Sequence, residues 1–335
     1  MVLTPLVEKK AAENAEDLDP DHSVSVEGSV RFVEFCPCKW NASLLAVATN
    51  TEVTVFSIKL PEENVSAEDA AVQIVKKFDH PSSVTSLGWS PNMSLVIHPI
   101  WMRFVTAAMD NNIRIFFSDL KDETTVKELS GHGDCINAVA VEPRHGDLVA
   151  SVSDDNSCRL WGVQEGELQQ VLTLRSPGMS VCWHPEEPGK LMVGEKRGTV
   201  RMYNAASGRP LLSLDTLVAP LLSADWHMTN STLVGAAAGN SCFIWDSARA
   251  SRPFMQKAVH PSGATEFRFS RATNAAVCAT RGGHGKQVTV VNLKTNQVLF
   301  TKDGMVGEGI SWHCKFPIVA IGGDSRVHLY RISVT

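Results

Sequence analysis

Hydrophobic and polar positions alternate in short segments along most of the chain, which predicts β-strands and not helices. Seven of these segments resemble one another and place a large or apolar residue at an equivalent position. The seven marker residues are Phe35, Trp89, Val141, Trp183, Trp226, Phe269 and Trp312. Successive markers are separated by 54, 52, 42, 43, 43 and 43 residues. This spacing indicates seven copies of one sheet-forming repeat.

Each marker is followed by an alternating apolar segment and then by a strand that ends on an aromatic or apolar residue. These strand ends are Phe56, Phe116, Trp161, Tyr203, Trp245, Val291 and Tyr330. A predicted hairpin turn lies six residues before each end, at Asn50, Asp110, Asp155, Arg197, Gly239, Gly285 and Asp324. Asp, Asn and Gly are favoured in tight turns. The later repeats have the spacing of WD40 blades, so the sequence predicts an all-β, seven-bladed WD40 β-propeller.

The two ends of the chain complement each other. The last repeat ends in "VHLYRISVT", which leaves no residues for a fourth strand, and the alternating "HSVSVE" at residues 22–27 precedes the first repeat. We therefore expect the N-terminal strand to complete the last blade and close the ring, because closure removes exposed sheet edges. One propeller over residues 22–335 follows. Residues 1–21 are acidic and poor in aromatic residues, which predicts a disordered tail.

The third repeat carries nearly the full WD signature. Gly131 and His132 form the "GH" pair, Asp155 lies in the hairpin turn, and Trp161 ends the next strand. We expect His132 to hydrogen-bond Asp155, with Ser151 or Ser153 and the Trp161 indole extending the network. Such a relay satisfies polar groups inside the blade.

The second repeat offers a similar pair. His80 lies nine residues before its marker, as His132 does, and Asp110 lies in its hairpin turn. The spacing between His80 and Asp110 exceeds that of the third repeat by 7 residues, which matches the extra length of the second repeat. We therefore predict that His80 and Asp110 also form a structural pair. His260 has the same offset, but its turn position is Gly285, so the relay is missing there.

Composition narrows the classes of function. The chain has 31 Lys and Arg against 36 Asp and Glu, a formal net charge of −5, which does not favour direct binding of nucleic acid or of an anionic membrane. No secretory signal and no apolar run long enough for a membrane span is present, so we expect a soluble intracellular protein. The eight Cys contain no C-x-x-C pair, which predicts neither zinc fingers nor a disulfide framework.

Two motifs suggest chemistry at first sight. "VCWHPEE" places Cys182, His184 and Glu186 within metal-ligand spacing, but a His recurs at the same offset as His227 and His313, which favours packing. "RGGHGK" at residues 281–286 lacks the Gly and the Ser or Thr that a phosphate-binding loop requires. We find no nucleophile elbow or metalloprotease helix. The sequence predicts no catalytic residue, metal or cofactor, and no enzymatic activity.

The second repeat contains an apolar insertion, "SLVIHPIWMRF", where other repeats have a turn. Two interpretations remain open: a lid packed on its own propeller, or a partner-docking patch, since exposed apolar patches mark interfaces. On the second interpretation, Ile97, Ile100, Trp101 and Met102 bind the partner, and Ile97, Ile100 and Trp101 are partly exposed in the isolated chain.

Several runs resemble one family more closely than they resemble WD repeats in general. They are "FFSDL" (116–120), "SVSDDNSCRLW" (151–161), "SPGMSVCWHPEEPGKLMVGEKRGTVRMYN" (176–204), "SWH" (311–313) and "IGGD" (321–324). These runs resemble the small WD-repeat nucleoporins of the Y-shaped outer-ring scaffold of the nuclear pore. The resemblance extends from the first blade to the last. It is strongest in blades three and four.

The resemblance implies a non-enzymatic scaffold subunit at the nuclear envelope. Such a subunit docks on the large stalk nucleoporin, beside the DNA-associated pore-assembly factor. It supports pore assembly and nucleocytoplasmic transport, and it also localises to kinetochores in mitosis. We expect a monomer when the chain is isolated. Two other functions remain open: a ubiquitin-ligase substrate receptor, although the Arg of "WDSAR" is one position too late for the docking box, and a chromatin-peptide reader, which needs an aromatic cage at the channel mouth.

Overall fold

The chain folds into a ring of seven four-stranded antiparallel sheets around a central channel. The computed structural model describes residues 19–61, 70–95, 98–121, 123–249, 252–272, 276–283 and 286–333. A 3-10 helix lies at Lys39–Asn41, and no helix of the described residues is long and apolar enough to cross a membrane. The predicted seven-bladed propeller is confirmed.

The strands follow one another in blade order. The closing strand and blades one to three comprise β1 (His22–Ser25), β2 (Phe32–Phe35), β3 (Leu44–Ala48), β4 (Glu52–Lys59), β5 (Ala71–Asp79), β6 (Val84–Trp89), β7 (Met102–Ala108), β8 (Asn112–Ser118), β9 (Thr124–Ser130), β10 (Ile136–Val141), β11 (Leu148–Ser153), β12 (Ser157–Gly162) and β13 (Leu168–Thr173). Blades four to seven comprise β14 (Gly178–Trp183), β15 (Lys190–Glu195), β16 (Thr199–Asn204), β17 (Pro210–Asp215), β18 (Leu221–Trp226), β19 (Leu233–Ala238), β20 (Ser241–Asp246), β21 (Met255–Ala258), β22 (Ala264–Phe269), β23 (Val277–Gly282), β24 (Val288–Asn292), β25 (Val298–Lys302), β26 (Ile310–Trp312), β27 (Ile318–Gly322) and β28 (Arg326–Arg331).

Blades one to six each use four consecutive strands, whereas the seventh has the order β1-β28-β27-β26. In that blade, His22 lies opposite Leu329 and Ser25 lies opposite Arg326. A hydrogen bond of 3.0 Å between Ser23 Oγ and His328 Nδ1 adds a side-chain link. The N-terminal strand therefore closes the ring, as the alternating segment predicts, although the strand ends at Ser25 and not at residue 27.

The hydrophobic core consists of clusters between neighbouring blades. Six of the seven marker side chains are buried, and only Val141 is partly exposed. One cluster joins Val24 and Leu329 of the seventh blade to Phe35 and Phe56 of the first. Another joins Trp312 of the seventh blade to strands of the sixth. Each sheet therefore depends on its two neighbours to bury its faces.

Side chains link the inner strands of adjacent blades. Three marker indoles donate to backbone carbonyls of the preceding inner strand: Trp89 Nε1 to Glu34 O (3.1 Å), Trp183 Nε1 to Ala140 O (3.0 Å) and Trp312 Nε1 to Arg268 O (3.2 Å). Four side-chain oxygens accept from backbone N–H groups of the next blade: Ser86 from Val139 (3.1 Å), Ser180 from Ala224 (3.0 Å), Asp225 from Phe269 (2.9 Å) and Ser311 from Phe35 (2.8 Å). The inner strands thus lie side by side in one direction.

The prediction for the N-terminal tail concerns residues that lie mostly outside the described part of the chain, namely residues 1–18. The disordered tail therefore stays a prediction.

Closure of the ring predicts a position-specific stability effect in β1. Val24→Asp should lower the free energy of unfolding by more than about 2 kcal/mol, because it places a charge in the core between blades seven and one. Ser25→Asp, on the exposed neighbouring position, should change it by less than about 0.5 kcal/mol. Urea unfolding of both variants measures the difference. Equal stabilities would contradict the closing role of β1.

Candidate functional site

The third blade contains the relay that its sequence predicts. His132 precedes β10, and its Nδ1 lies 2.8 Å from Asp155 Oδ2, while its Nε2 lies 2.7 Å from Ser151 Oγ. The Trp161 indole donates to the same Ser151 oxygen at 2.8 Å. Burial raises the pKa of Asp155, but hydrogen bonds from Ser157 and His132 outweigh this and hold the pKa at about 2. Asp155 is therefore an ionised acceptor at neutral pH.

The pair predicted in the second blade takes a different form. His80 Nε2 lies 2.9 Å from Thr106 Oγ1, and no hydrogen bond joins His80 to Asp110, both of which the structure describes. Asp110 instead binds the buried guanidinium of Arg114 through both carboxylate oxygens, with distances of 3.1 and 2.5 Å. A two-pronged ion pair is stronger than a bond to a neutral imidazole, so the arginine takes the carboxylate. Phe116 occupies the position of Trp161 and offers no N–H group.

The histidine of "VCWHPEE" caps a turn. His184 Nδ1 accepts the backbone N–H groups of Glu186 at 3.1 Å and Glu187 at 2.8 Å. The recurring histidines do the same: His227 accepts from Thr229 (3.3 Å) and Asn230 (3.1 Å), and His313 accepts from Lys315 (3.2 Å) and Phe316 (3.1 Å). The Cys182 thiol lies 3.5 Å from the Ala224 carbonyl of the next blade. Among the described residues, no group of three or more potential ligands could hold a metal ion.

The apolar insertion forms a partly exposed aromatic patch. The Trp101 ring stacks on Phe117, with ring centroids 5.6 Å apart and planes at 25°. The Arg103 guanidinium lies 5.6 Å from the Trp101 ring. Trp101 and Ile100 are half-buried, while Phe117 is 42% exposed. We call Ile100, Trp101 and Phe117 the Trp101 patch.

Two of the residues predicted at this interface are not in the patch. Ile97 lies outside the described residues. Met102 is 1% exposed and packs in the core with Trp89 and Phe104, so its assignment as a partner-binding residue is wrong. A bridge between Ser94 and Trp101 closes the insertion, and β7 begins at Met102, which turns that side chain inward.

Sequence reasoning missed Phe117. The signal was the "FF" pair in β8, because neighbouring residues in a strand point to opposite faces. Phe116 faces the core between blades one and two, so Phe117 must face away from it.

The central channel has a volume of about 880 Å³ and an asymmetric lining. Its charged side carries three ion pairs, Glu34–Arg271 (3.4 Å), Glu266–Arg268 (3.5 Å) and Arg31–Glu308 (3.7 Å). Burial raises the pKa of Glu34 to about 7 against the opposing effect of Arg271 and Arg268. The opposite side is lined by small residues, including Gly88, Ala138, Ala140, Ser180 and Cys182. Within this lining the Cys182 thiol lies 3.8 Å from Asp225 Oδ1, but burial raises the pKa of the thiol to about 12, so Cys182 is a protonated thiol and not a thiolate nucleophile at neutral pH.

Comparison with known proteins identifies the family. The model of the WD domain, G-beta repeat, matches residues 72–116 and 123–162. Nucleoporin Nup37 of Homo sapiens is 40% identical to this chain over 311 residues, which cover 91% of this chain and 95% of the relative. Nucleoporin Nup37 of Mus musculus has the same identity and the same coverages. Nucleoporin Nup37 of Drosophila melanogaster is 30% identical over 320 residues, which cover 95% and 98%.

The chain belongs to the Nup37 nucleoporin family. The resemblance to small WD-repeat nucleoporins is thereby confirmed. Membership makes the chain a nucleoporin of the nuclear pore complex, and the family supports a scaffold role. The geometry of the described residues agrees with a scaffold role, because the polar clusters around His132, Asp110 and His184 stabilise blades and turns.

The relay predicts a stability effect at Asp155. Asp155→Ala should lower the free energy of unfolding by about 2 kcal/mol, because the imidazole of His132 and the N–H of Gly133 lose their acceptor. A double-mutant cycle with His132→Ala, measured by urea unfolding, should show that the two losses are not additive. An unchanged melting temperature for Asp155→Ala would show that the relay does not stabilise the fold.

The buried histidines predict a loss of stability in acid. Burial lowers the pKa of His132, His184, His227 and His260, and burial together with Lys315 lowers that of His313 from 6.5 to about 4. Between pH 6.5 and pH 4 these five histidines bind more protons in the unfolded chain than in the folded chain, so they lower the free energy of unfolding as the pH decreases. Glu34, whose pKa is raised to about 7, acts in the opposite direction but is one group against five.

Urea unfolding at several pH values measures this slope. The matched variant is His313→Asn, whose side-chain oxygen can accept the same two N–H groups without titrating. It should have a shallower slope than the parent, and an identical slope would contradict the assignment to His313.

Proposed function

We propose that the chain is a non-enzymatic scaffold subunit of the Y-shaped outer-ring complex of the nuclear pore. It docks on the large stalk nucleoporin of that complex, next to the pore-assembly factor, and thereby supports pore assembly and the transport of protein and mRNA. A further role at kinetochores in mitosis belongs to the same proposal. The observation that carries the docking function is the Trp101 patch, where two stacked aromatic rings are both partly exposed.

The physical properties of the patch suit a permanent interface. Aromatic and Arg side chains dominate the binding energy of protein interfaces, and the patch combines Trp101 and Phe117 with the nearby guanidinium of Arg103. Stacking already restricts the two rings, so little side-chain entropy is lost when a partner covers them. The closed ring holds them on a rigid support, because Trp101 bridges Ser94 and Phe117 lies on β8.

The two alternative functions have weaker support. A methyl-lysine reader needs a cage of several aromatic rings, whereas Trp40 is the single aromatic side chain among the described channel-lining residues that is largely exposed. A ligase receptor needs an arginine in register after the Trp-Asp pair, whereas Arg249 is displaced by one position and lies 3.5 Å from Asp246. Scaffold docking therefore remains the function that the geometry supports best.

Docking through the patch predicts a loss of affinity in Trp101→Ala. The variant should bind the stalk nucleoporin about 30-fold more weakly, equivalent to about 2 kcal/mol, because a partly exposed ring contributes more to binding than to the fold. Isothermal titration calorimetry with the purified stalk nucleoporin measures the change, and thermal unfolding checks that the fold is intact.

Phe254→Ala is the matched control. Phe254 is exposed on blade five, away from the insertion, so its removal should leave affinity unchanged. Wild-type affinity in Trp101→Ala would contradict the proposed docking surface.

A further inference from the structure

One end of the channel combines an exposed aromatic ring with several cations. Because the inner strands run in one direction, the turns that follow them meet at the same end of the channel. Lys39, Trp40, Arg144, Met228 and Arg271 all lie in these turns and line the channel cavity. We call these five residues the lower mouth.

Trp40 is the most exposed of the large hydrophobic side chains that the structure describes, with an exposed fraction of 91%. It lies on the 3-10 helix Lys39–Asn41. The residue after Trp40 is Asn41, which is buried and donates its backbone N–H to Cys38 O at 2.9 Å. The ring is therefore held outward by an ordered turn. Met228, on the turn after β18, adds a second exposed apolar side chain. Exposed apolar groups at a concave site indicate a binding surface.

The charges of the lower mouth are unbalanced. Lys39 makes no ion pair within the described residues, and the Arg144 guanidinium binds only a backbone carbonyl, that of Glu186. Arg271 alone has a carboxylate partner, Glu34, at 3.4 Å. In the adjoining turn, Glu187 is paired with Lys190, whereas Glu186 accepts only from the Ser231 hydroxyl and keeps its charge. The three cations Lys39, Arg144 and Arg271 thus face two carboxylates, those of Glu34 and Glu186. The mouth therefore presents positive charge beside an apolar ring.

We propose that the lower mouth binds a short, extended, acidic segment of a second protein partner. An apolar side chain of that segment packs on Trp40 and Met228, and its carboxylates pair with Lys39, Arg144 and Arg271. A concave channel end with a cavity of about 880 Å³ accommodates a peptide better than a folded domain. The proposal does not depend on stalk docking, because its residues are distinct from the Trp101 patch.

The test uses the full chain and a fluorescein-labelled peptide in which one phenylalanine is flanked by glutamates. Fluorescence anisotropy should detect its binding, and a peptide with lysines in place of the glutamates should not bind. Trp40→Ala should weaken binding by at least about tenfold, and Lys39→Glu combined with Arg144→Glu should weaken it further. These exposed positions can change without loss of the fold, which thermal unfolding verifies.

Matched controls lie at the opposite end of the channel. Leu217, which is 90% exposed, precedes β18, and Lys196 lies in the turn between β15 and β16. Leu217→Ala and Lys196→Glu should both retain the parent affinity, and so should Trp101→Ala. If the Trp101 patch does not bind the stalk nucleoporin, the peptide-binding result at the lower mouth is therefore unaffected.

Three outcomes would overturn the proposal. The first is no binding of the acidic peptide at about 1 mM, which corresponds to less than about 4 kcal/mol of binding free energy. The second is equal binding of the lysine peptide or unchanged affinity in Trp40→Ala. The third is binding that occurs only in a chain beginning at residue 19, which would identify residues 1–18 of this chain as the occupant instead of a partner.

Discussion

The inner strand of each blade has one edge that no neighbouring strand covers, and the rest of the structure depends on how that edge is satisfied. Backbone groups that are buried without partners cost free energy comparable to a lost hydrogen bond. Here the solution comes from side chains of adjacent inner strands, such as Ser86, Ser180 and Ser311, and from the indoles of Trp89, Trp183 and Trp312. The same bonds fix the blades in register. Trp89, Trp183 and Trp312 therefore connect adjacent blades in addition to packing in the core.

This constraint explains which features are predictable from sequence. Repetition reveals the marker positions, and the missing strand of the last repeat reveals the closure by residues 22–25. The third-blade relay follows from a known spacing of His132 and Asp155. Sequence spacing does not predict which of two side chains binds a shared partner. The spacing pairs Asp110 with His80, but in the structure Asp110 binds Arg114.

The candidate interface was predictable only in part. The apolar insertion interrupts the repeat, so the sequence identifies Ile100 and Trp101 as candidate interface residues. Met102 is buried because β7 begins at that residue, which the sequence does not reveal. Trp40 gives no signal in the sequence, since its exposure depends on the short helix after β2 and on the buried Asn41. Surface function in this propeller therefore depends on departures from the repeat, whereas the repeat itself specifies the platform that supports them.

The pairing of β1 with β28 has a consequence for how the chain acquires its fold. Ser23 and His328, which share a hydrogen bond, are 305 residues apart in the chain. During synthesis the first strand emerges with no partner, and it must stay unpaired until the final blade has left the ribosome. Long-range pairing of this kind slows folding and leaves an unpaired strand exposed to other chains. Closure of the ring therefore has to wait until the strands of the last blade have been synthesised.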